Sequence, residues 1–131
     1  MLADLTLRAP RDIQINVYNT TDRVGLATQV GEHFANRDFQ VLEIGDSDAE
    51  VEGVAVLRYG PRMVGAAHVL QAYFLNNAVE EFDITREDEV VDVLIGPQFQ
   101  QLATETMVRQ SIAALGNAVA PPGTCGEPPG A

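Results

Sequence analysis

The residues best suited to binding chemistry form one short stretch, Asn19-Thr20-Thr21-Asp22-Arg23. It follows an alternating apolar and polar run at 13–18, which predicts a half-buried strand, and precedes an amphipathic helix predicted at 24–37. Thr20, Thr21 or Asp22 is expected to cap that helix by accepting a backbone N–H. Because a helix N-terminus offers free N–H groups and a partial positive charge, the stretch is a candidate anion site. The alternative is a capping turn with a solvated arginine.

Two further arginines could enlarge this candidate site. Arg58 and Arg62 flank Tyr59 where a predicted strand meets a predicted helix. If both strand-to-helix turns lie at the same edge of the sheet, these arginines would add to an anion patch. The alternative is that they form salt bridges within an acidic surface.

The other reactive residue types indicate no catalytic residues, metal ligands or cofactor. His33 and His68 fall on different predicted helices, and neither has the spacing of a metal-binding motif. Ser47 and Ser111 lack the sequence context of a nucleophile. Cys125 is the single cysteine and lies in a Pro/Gly-rich segment. We therefore expect an accessible thiol that could form an intermolecular disulfide.

The composition restricts the classes of partner. The 131 residues suit one domain, and 46% hydrophobic residues can supply its core. The net charge is −11, and all eight basic residues are arginine. This charge disfavours nucleic acid and anionic lipid surfaces, both of which attract basic proteins. No long apolar run is present, so we expect membrane attachment only through an anchor absent from this chain.

Hydrophobic periodicity predicts the strands and helices that position these candidate residues. Further strands are predicted at 39–44, 54–59, 79–84 and 90–95, with a second helix at 63–75. The order β-α-β-β-α-β-β predicts an α+β two-layer sandwich, with a mostly antiparallel sheet and two helices on one face.

A third helix is predicted at about 100–115, with an apolar stripe of Val108, Ile112 and Leu115. It is expected to dock on the open face of the sheet; the alternative is that it binds a partner. The predicted organisation is a lead-in at 1–12, a domain at 13–100, the C-terminal helix at 101–116 and a flexible Pro/Gly tail at 117–131.

Three motifs in order resemble the LytR C-terminal domain family. They are Val17-Tyr18-Asn19 followed by Gly25-Leu26-Ala27, then Tyr59-Gly60-Pro61, and then Asp92-Val93-Leu94-Ile95-Gly96 followed by Phe99. The resemblance covers about residues 13–100. One position departs from it, because Thr20 stands where the family usually has glycine.

The resemblance implies a non-catalytic, extracytoplasmic domain of the bacterial cell envelope. The chain is similar to the stand-alone type common in actinobacteria, which lacks the LytR-CpsA-Psr phosphotransferase domain. The implied role is binding or scaffolding that maintains the cell wall through envelope proteins or wall polymers. The alternative is a regulatory or catalytic module acting on wall precursors. Since wall polymers often carry phosphate or carboxylate, an acidic domain would need a local arginine patch to bind them, so protein contacts are favoured.

Overall fold

The computed structural model describes residues 2–126, which form three helices and seven strands. Helix α1 spans Leu26–Asn36, α2 spans Val64–Tyr73 and α3 spans Glu105–Leu115. The strands are β1 (Leu2–Ala3), β2 (Gln14–Asn19), β3 (Gln40–Asp46), β4 (Ala55–Tyr59), β5 (Ala78–Phe82), β6 (Val90–Ile95) and β7 (Cys125–Gly126). Within this part of the chain, no helix combines the length and apolar character needed to cross a membrane.

Strands β2 to β6 form one sheet in the order β3-β2-β6-β4-β5. β2 pairs in parallel with both β3 and β6, and β4 pairs in parallel with β5, whereas β4 and β6 are antiparallel. The prediction of a mostly antiparallel sheet is therefore wrong. The reason is that α1 links β2 to β3 and α2 links β4 to β5, and a helical crossover makes the adjacent strands that it connects parallel.

Helices α1 and α2 cover one face of this sheet, as predicted. Ile15 and Val17 point into the helix layer from β2, and Leu57 and Val93 pair across β4 and β6 on the same side. Phe34 of α1 is fully buried in the same hydrophobic core. The two-layer α+β class and the β-α-β-β-α-β-β order are confirmed.

Helix α3 lies on the helix side of the sheet, where it packs against α2. It begins five residues later than predicted, because the Thr104 side chain caps it by accepting the Met107 N–H at 3.2 Å. Val108 is buried, and Ile112 and Leu115 pack against the core. The expected docking on the open sheet face is wrong, since that face presents polar side chains that would be desolvated by an apolar stripe.

The N-terminal and C-terminal segments meet near the start of α2. The Asp4 N–H donates to the Pro61 carbonyl at 2.8 Å, and the Asp4 carbonyl accepts the Gly65 N–H at 2.9 Å. A Cβ at residue 65 would collide with the Thr6 carbonyl oxygen, so the close crossing requires glycine. β1 and β7 pair in parallel. Residues 117–126 of the predicted flexible tail therefore contact the domain, and residues 127–131 lie outside the described part of the chain.

Candidate functional site

The predicted site at Asn19–Arg23 is a closed turn whose polar groups bond within the protein. The buried Asn19 amide donates to the Arg23 carbonyl at 2.6 Å, and its side-chain oxygen accepts the Thr21 N–H and hydroxyl at 2.8 and 2.7 Å. The Thr20 N–H and hydroxyl donate to the Ile95 carbonyl at 3.2 and 2.8 Å. These groups hold the end of β2 to the end of β6, so they are already engaged before any ligand arrives.

Helix α1 begins beyond this turn and uses a different cap from the predicted ones. Its N-cap is Gly25, which has a left-handed conformation with φ of 77°, and no side chain caps the helix. The prediction that Thr20, Thr21 or Asp22 caps this helix is therefore wrong. The Thr21 hydroxyl instead accepts the Arg23 N–H inside the turn, at 3.1 Å. The change of direction into the helix occurs at glycine, which adopts positive φ without strain.

Acidic side chains surround the turn. A cleft of about 580 Å³ lies between the turn and the loop at 46–52, and its lining includes the carboxylates of Asp22, Asp46, Asp48, Glu50 and Glu52. Five carboxylates produce a negative potential that opposes anion binding. Arg23 donates to the Gly96 carbonyl at 3.3 Å. The geometry disfavours an anion at this turn, and no group of potential metal ligands is found here or elsewhere in residues 2–126.

Arg58 and Arg62 lie at the opposite end of the sheet from this turn. Because β4 runs antiparallel to β6 and β6 runs parallel to β2, the β4–α2 junction and the β2–α1 junction are at different edges. Arg58 Nε pairs with Glu81 at 2.6 Å, and Arg62 is exposed in a short 3-10 turn. The two strand-to-helix turns are therefore too far apart for a joint arginine patch. Arg58 instead forms a salt bridge, as the alternative interpretation predicted.

A row of hydrogen-bonded side chains crosses the open face of the sheet. Tyr18 donates to Glu43 at 2.9 Å, and the Asn16 amide donates to Asp92 at 3.0 Å. Asp92 also accepts from Arg86 at 3.0 Å, and Arg86 donates to the Arg58 carbonyl at 3.2 Å. All five strands contribute to this open-face row, whose members are Asn16, Tyr18, Glu43, Arg58, Glu81, Arg86 and Asp92.

The phenols on the two faces of the sheet are hydrogen-bond donors at neutral pH. Burial and the neighbouring Glu43 carboxylate raise the pKa of Tyr18 to about 12. On the helix side, Tyr59 donates to Glu80 at 2.9 Å, and burial together with that carboxylate raises the pKa of Tyr59 as well. Neither phenol is therefore suited to act as a general base near pH 7.

A second cleft, which the sequence analysis missed, lies on the helix side. We call it the α1 cleft. Its volume is about 340 Å³, and it is lined by Gln29, Val30, His33, Arg37, Phe99, Gln100, Gln101 and Leu102. One sequence pattern could have indicated this cleft. Gln29, His33 and Arg37 are spaced four residues apart, which places them on one side of α1. The facing segment at 99–102 reaches α1 only in the folded chain.

Cys125 lies in the C-terminal segment, and His68 contacts the end of α3. Cys125 is exposed in β7, and its intermolecular disulfide stays a prediction. His68 Nε2 lies 2.9 Å from the Gly116 carbonyl, which joins α2 to the end of α3. The two histidines are thus on different surfaces, since His33 lines the α1 cleft.

Comparison with protein families identifies the domain. The family described as LytR cell envelope-related transcriptional attenuator matches residues 12–99, which include both helical crossovers and the whole five-stranded sheet. The chain belongs to this family. A comparison with curated proteins finds no match.

A solved structure shares the fold of this LytR-family domain. It is the soluble domain of a conserved hypothetical secreted protein from Mycobacterium marinum, with a TM-score of 0.70 and 18% sequence identity. The similarity covers 84% of this chain and 89% of that chain. At this level of identity the similarity shows the fold alone.

Two features of this LytR-family domain are clarified by the structure. Thr20, which replaces the family's usual glycine, is not among the described non-glycine residues with positive φ, namely Asp38, Leu75 and Asn76. The threonine is therefore unstrained. The α1 cleft lies at the edge of the family match, because α1 and Phe99 fall inside residues 12–99 and the rest of the facing segment lies beyond them.

Proposed function

We propose that this domain is a non-catalytic binding and scaffold module of the bacterial cell envelope, and that it acts outside the cytoplasm by holding another envelope protein. The cell envelope-related family supports the envelope setting. The Mycobacterium marinum protein with the same fold is described as secreted, which agrees with an extracytoplasmic location. Membrane attachment through a segment outside residues 2–126 is part of the proposal.

The open-face row is the observation that best supports a protein-binding role. Its side chains are held by hydrogen bonds within the domain, from Glu43 on β3 to Glu81 on β5. Surface groups that are ordered before binding lose less conformational entropy when a partner arrives. A fixed arrangement of donors and acceptors also selects partners with complementary groups.

The charge of the row favours a protein over an anionic polymer. The row contains three carboxylates, from Glu43, Glu81 and Asp92, and two guanidinium groups, from Arg58 and Arg86. It is close to neutral, whereas the whole chain carries −11. A protein surface of mixed charge can match both signs, while a phosphate-rich or carboxylate-rich polymer would match only the arginines, which already contact acidic side chains.

The competing interpretation is that the row only stabilises a solvated sheet face. Photo-crosslinking in cells separates the two interpretations. A photoreactive residue replaces Val79, which is 56% exposed on the open face next to Arg58 and Glu81. A matched position is Ala114, which is exposed on α3 on the helix side.

We expect the probe at Val79 to capture a defined envelope protein that the probe at Ala114 does not capture. Arg58→Glu should remove this capture, because it places a second carboxylate beside Glu81. Arg109→Glu, an exposed change of the same charge on α3, should leave it intact. Equal capture at both positions, or capture that survives Arg58→Glu, would contradict docking on the open face.

The non-catalytic part of the proposal has a separate test. The purified 131-residue chain is incubated with wall precursors, and their turnover is followed by mass spectrometry. We expect no turnover, because no group of potential metal ligands occurs in the described residues and the phenols of Tyr18 and Tyr59 stay protonated near pH 7. Turnover that a single substitution in this chain abolishes would instead support the catalytic alternative.

A further inference from the structure

The α1 cleft differs in charge from four other clefts of the described surface. No carboxylate lines it, although the chain carries −11. Four other clefts each include at least one acidic side chain, and the cleft at the Asn19–Arg23 turn includes five. An anionic group would therefore meet less repulsion at the α1 cleft than at these four clefts.

Arg37 lines both this cleft and the neighbouring one, where Tyr73 also lies. Its Nη1 donates to the Ala103 carbonyl, and its guanidinium carbon lies 5.6 Å from the centroid of the Tyr73 ring. Among the salt bridges within residues 2–126, none involves Arg37, while Arg8, Arg58 and Arg86 are each paired. Because a guanidinium has five N–H donors in a planar fork, Arg37 retains donors for a carboxylate. Asp38 and Glu105 line the neighbouring cleft with Arg37, but neither lines the α1 cleft.

The rest of the lining suits a ring with an apolar side and polar substituents. Val30, Phe99 and Leu102 are buried and supply apolar surface. Gln29, Gln100 and Gln101 are exposed, and their amides can both donate to and accept from hydroxyl or acetamido groups. A volume of about 340 Å³ is at the small end of the range for small-molecule sites, so the occupant must be small.

We propose that the α1 cleft binds a sugar that carries a carboxylate, with the Arg37 guanidinium binding the acid and the glutamine amides binding the ring substituents. This proposal rests on the proposed envelope setting for the source of the ligand, since wall polymers often carry carboxylate. It uses a different surface from the open-face row, so a protein and an acidic sugar could bind at the same time.

The test uses probes that separate the sugar ring from the acid. The ¹⁵N-labelled 131-residue chain is titrated with N-acetylmuramic acid, with N-acetylglucosamine, which has the same ring without the lactyl carboxylate, and with D-lactate alone. We expect N-acetylmuramic acid to shift the amide resonances of residues 29–37 and 99–103. The two other probes should bind roughly tenfold or more weakly, because each lacks one half of the recognised group.

Substitutions assign the roles of the side chains. Arg37→Gln should weaken binding of N-acetylmuramic acid roughly tenfold or more, because it removes the charge-assisted hydrogen bonds. Arg23→Gln is the matched control, since Arg23 also donates to a backbone carbonyl but lies at the acidic cleft, and it should leave the affinity unchanged. If Arg37→Gln fails to fold, Gln101→Ala at the exposed rim still tests the cleft and should weaken binding measurably.

Several outcomes would overturn the proposal. They are the absence of shifts in the cleft, equal affinity for the two sugars, affinity for D-lactate equal to that for the acidic sugar, and binding that is unchanged in both cleft variants. A soluble disaccharide wall fragment is titrated in parallel. Tighter binding than the monosaccharide would assign the site to the polymer, and weaker binding would assign it to the free sugar. Crosslinking at Val79 is independent of these results, so either proposal can fail alone.

Discussion

The two faces of the five-stranded sheet are held together by different forces. On the helix side, Phe34, Leu57 and Val93 are fully buried and exclude water, so their contribution grows with the apolar area removed from solvent. On the open side, the row centred on Asp92 is held by hydrogen bonds and ion pairs that water can partly replace. From this difference we expect substitutions on the helix side to lower stability more than substitutions on the open side.

The largest effect is expected on the helix side. Phe34→Ala should lower the free energy of unfolding by about 3–5 kcal/mol, because it leaves a cavity among Phe39, Tyr73 and Phe74. Urea unfolding followed by circular dichroism measures the change. Tyr18→Phe on the open face removes only one hydroxyl and is expected to lower the free energy by no more than about 1 kcal/mol. Equal effects of the two substitutions would contradict a larger contribution of the helix side to stability.

The next largest loss of stability is expected where the N-terminal segment crosses the start of α2 closely. Gly65→Ala should lower the free energy of unfolding by about 1–3 kcal/mol, because the new methyl group must displace the Thr6 backbone. Gly45→Ala is the matched substitution, since a Cβ there would lie 3.9 Å from Tyr18 Cδ1 in ordinary contact. Thermal unfolding of both variants gives the difference, and a Gly65→Ala variant as stable as the parent would show that residues 4–9 are free to shift.

A smaller effect is expected at the centre of the open-face row. Asp92→Ala should lower the free energy of unfolding by about 1 kcal/mol, because Asn16 and Arg86 each lose an acceptor in a partly buried position. Asp88→Ala removes a more exposed carboxylate from the same Arg86 and should have an effect of less than about 0.5 kcal/mol. If Asp88→Ala were the more destabilising of the two, the row would not be the stabilising feature of that face.

The smallest effect is a shift in the titration of Tyr18. Burial, followed by the Glu43 carboxylate, raises its pKa from 10.0 to about 12. The folded state therefore binds the phenolic proton more tightly than the unfolded state. This contribution to stability is fully present below pH 10 and is lost as the pH rises from about 10 to about 12.

Absorbance of tyrosinate measures this titration directly, because the chain has no tryptophan. The pKa values of Tyr59 and Tyr73 are also raised, so the folded protein should contain little tyrosinate at pH 10. Glu43→Gln should move the pKa of Tyr18 toward 10 and leave the other two phenols unchanged. Glu87→Gln, an exposed change in the β5–β6 connection, should move none of them. A Tyr18 titration unaffected by Glu43→Gln would show that burial alone causes the shift.

Local patterns predicted most elements but failed at their ends. The strand at 90–95 was predicted with its observed bounds, because its nearly continuous apolar run is buried in the middle of the sheet. The helix predicted at 24–37 is observed at Leu26–Asn36. The ends were missed where side chains that could cap a helix, such as Thr21, bond within a preceding turn. For α3, the observed cap, Thr104, has the expected chemistry but was not singled out.

The candidate sites were predicted less well than the elements. The residues of the turn at Asn19–Arg23 do lie together, because they are adjacent in sequence. Arg58 does not join them, because the direction of β4 relative to β2 depends on which strands become neighbours. The α1 cleft was missed for a related reason, since its two sides are separated by more than 60 residues in the chain.

The sequence by itself determined the approximate positions of the two crossover helices and of the five strands of the main sheet, and the family of the domain. These properties depend on residues that are close in the chain, through periodicity and short motifs. Only the tertiary structure decided the strand order, the acidic surroundings of the turn, the assembly of the open-face row from five strands and the carboxylate-free lining of the α1 cleft. Each of these depends on contacts between distant segments, which are selected by packing of the whole core and not by local preference.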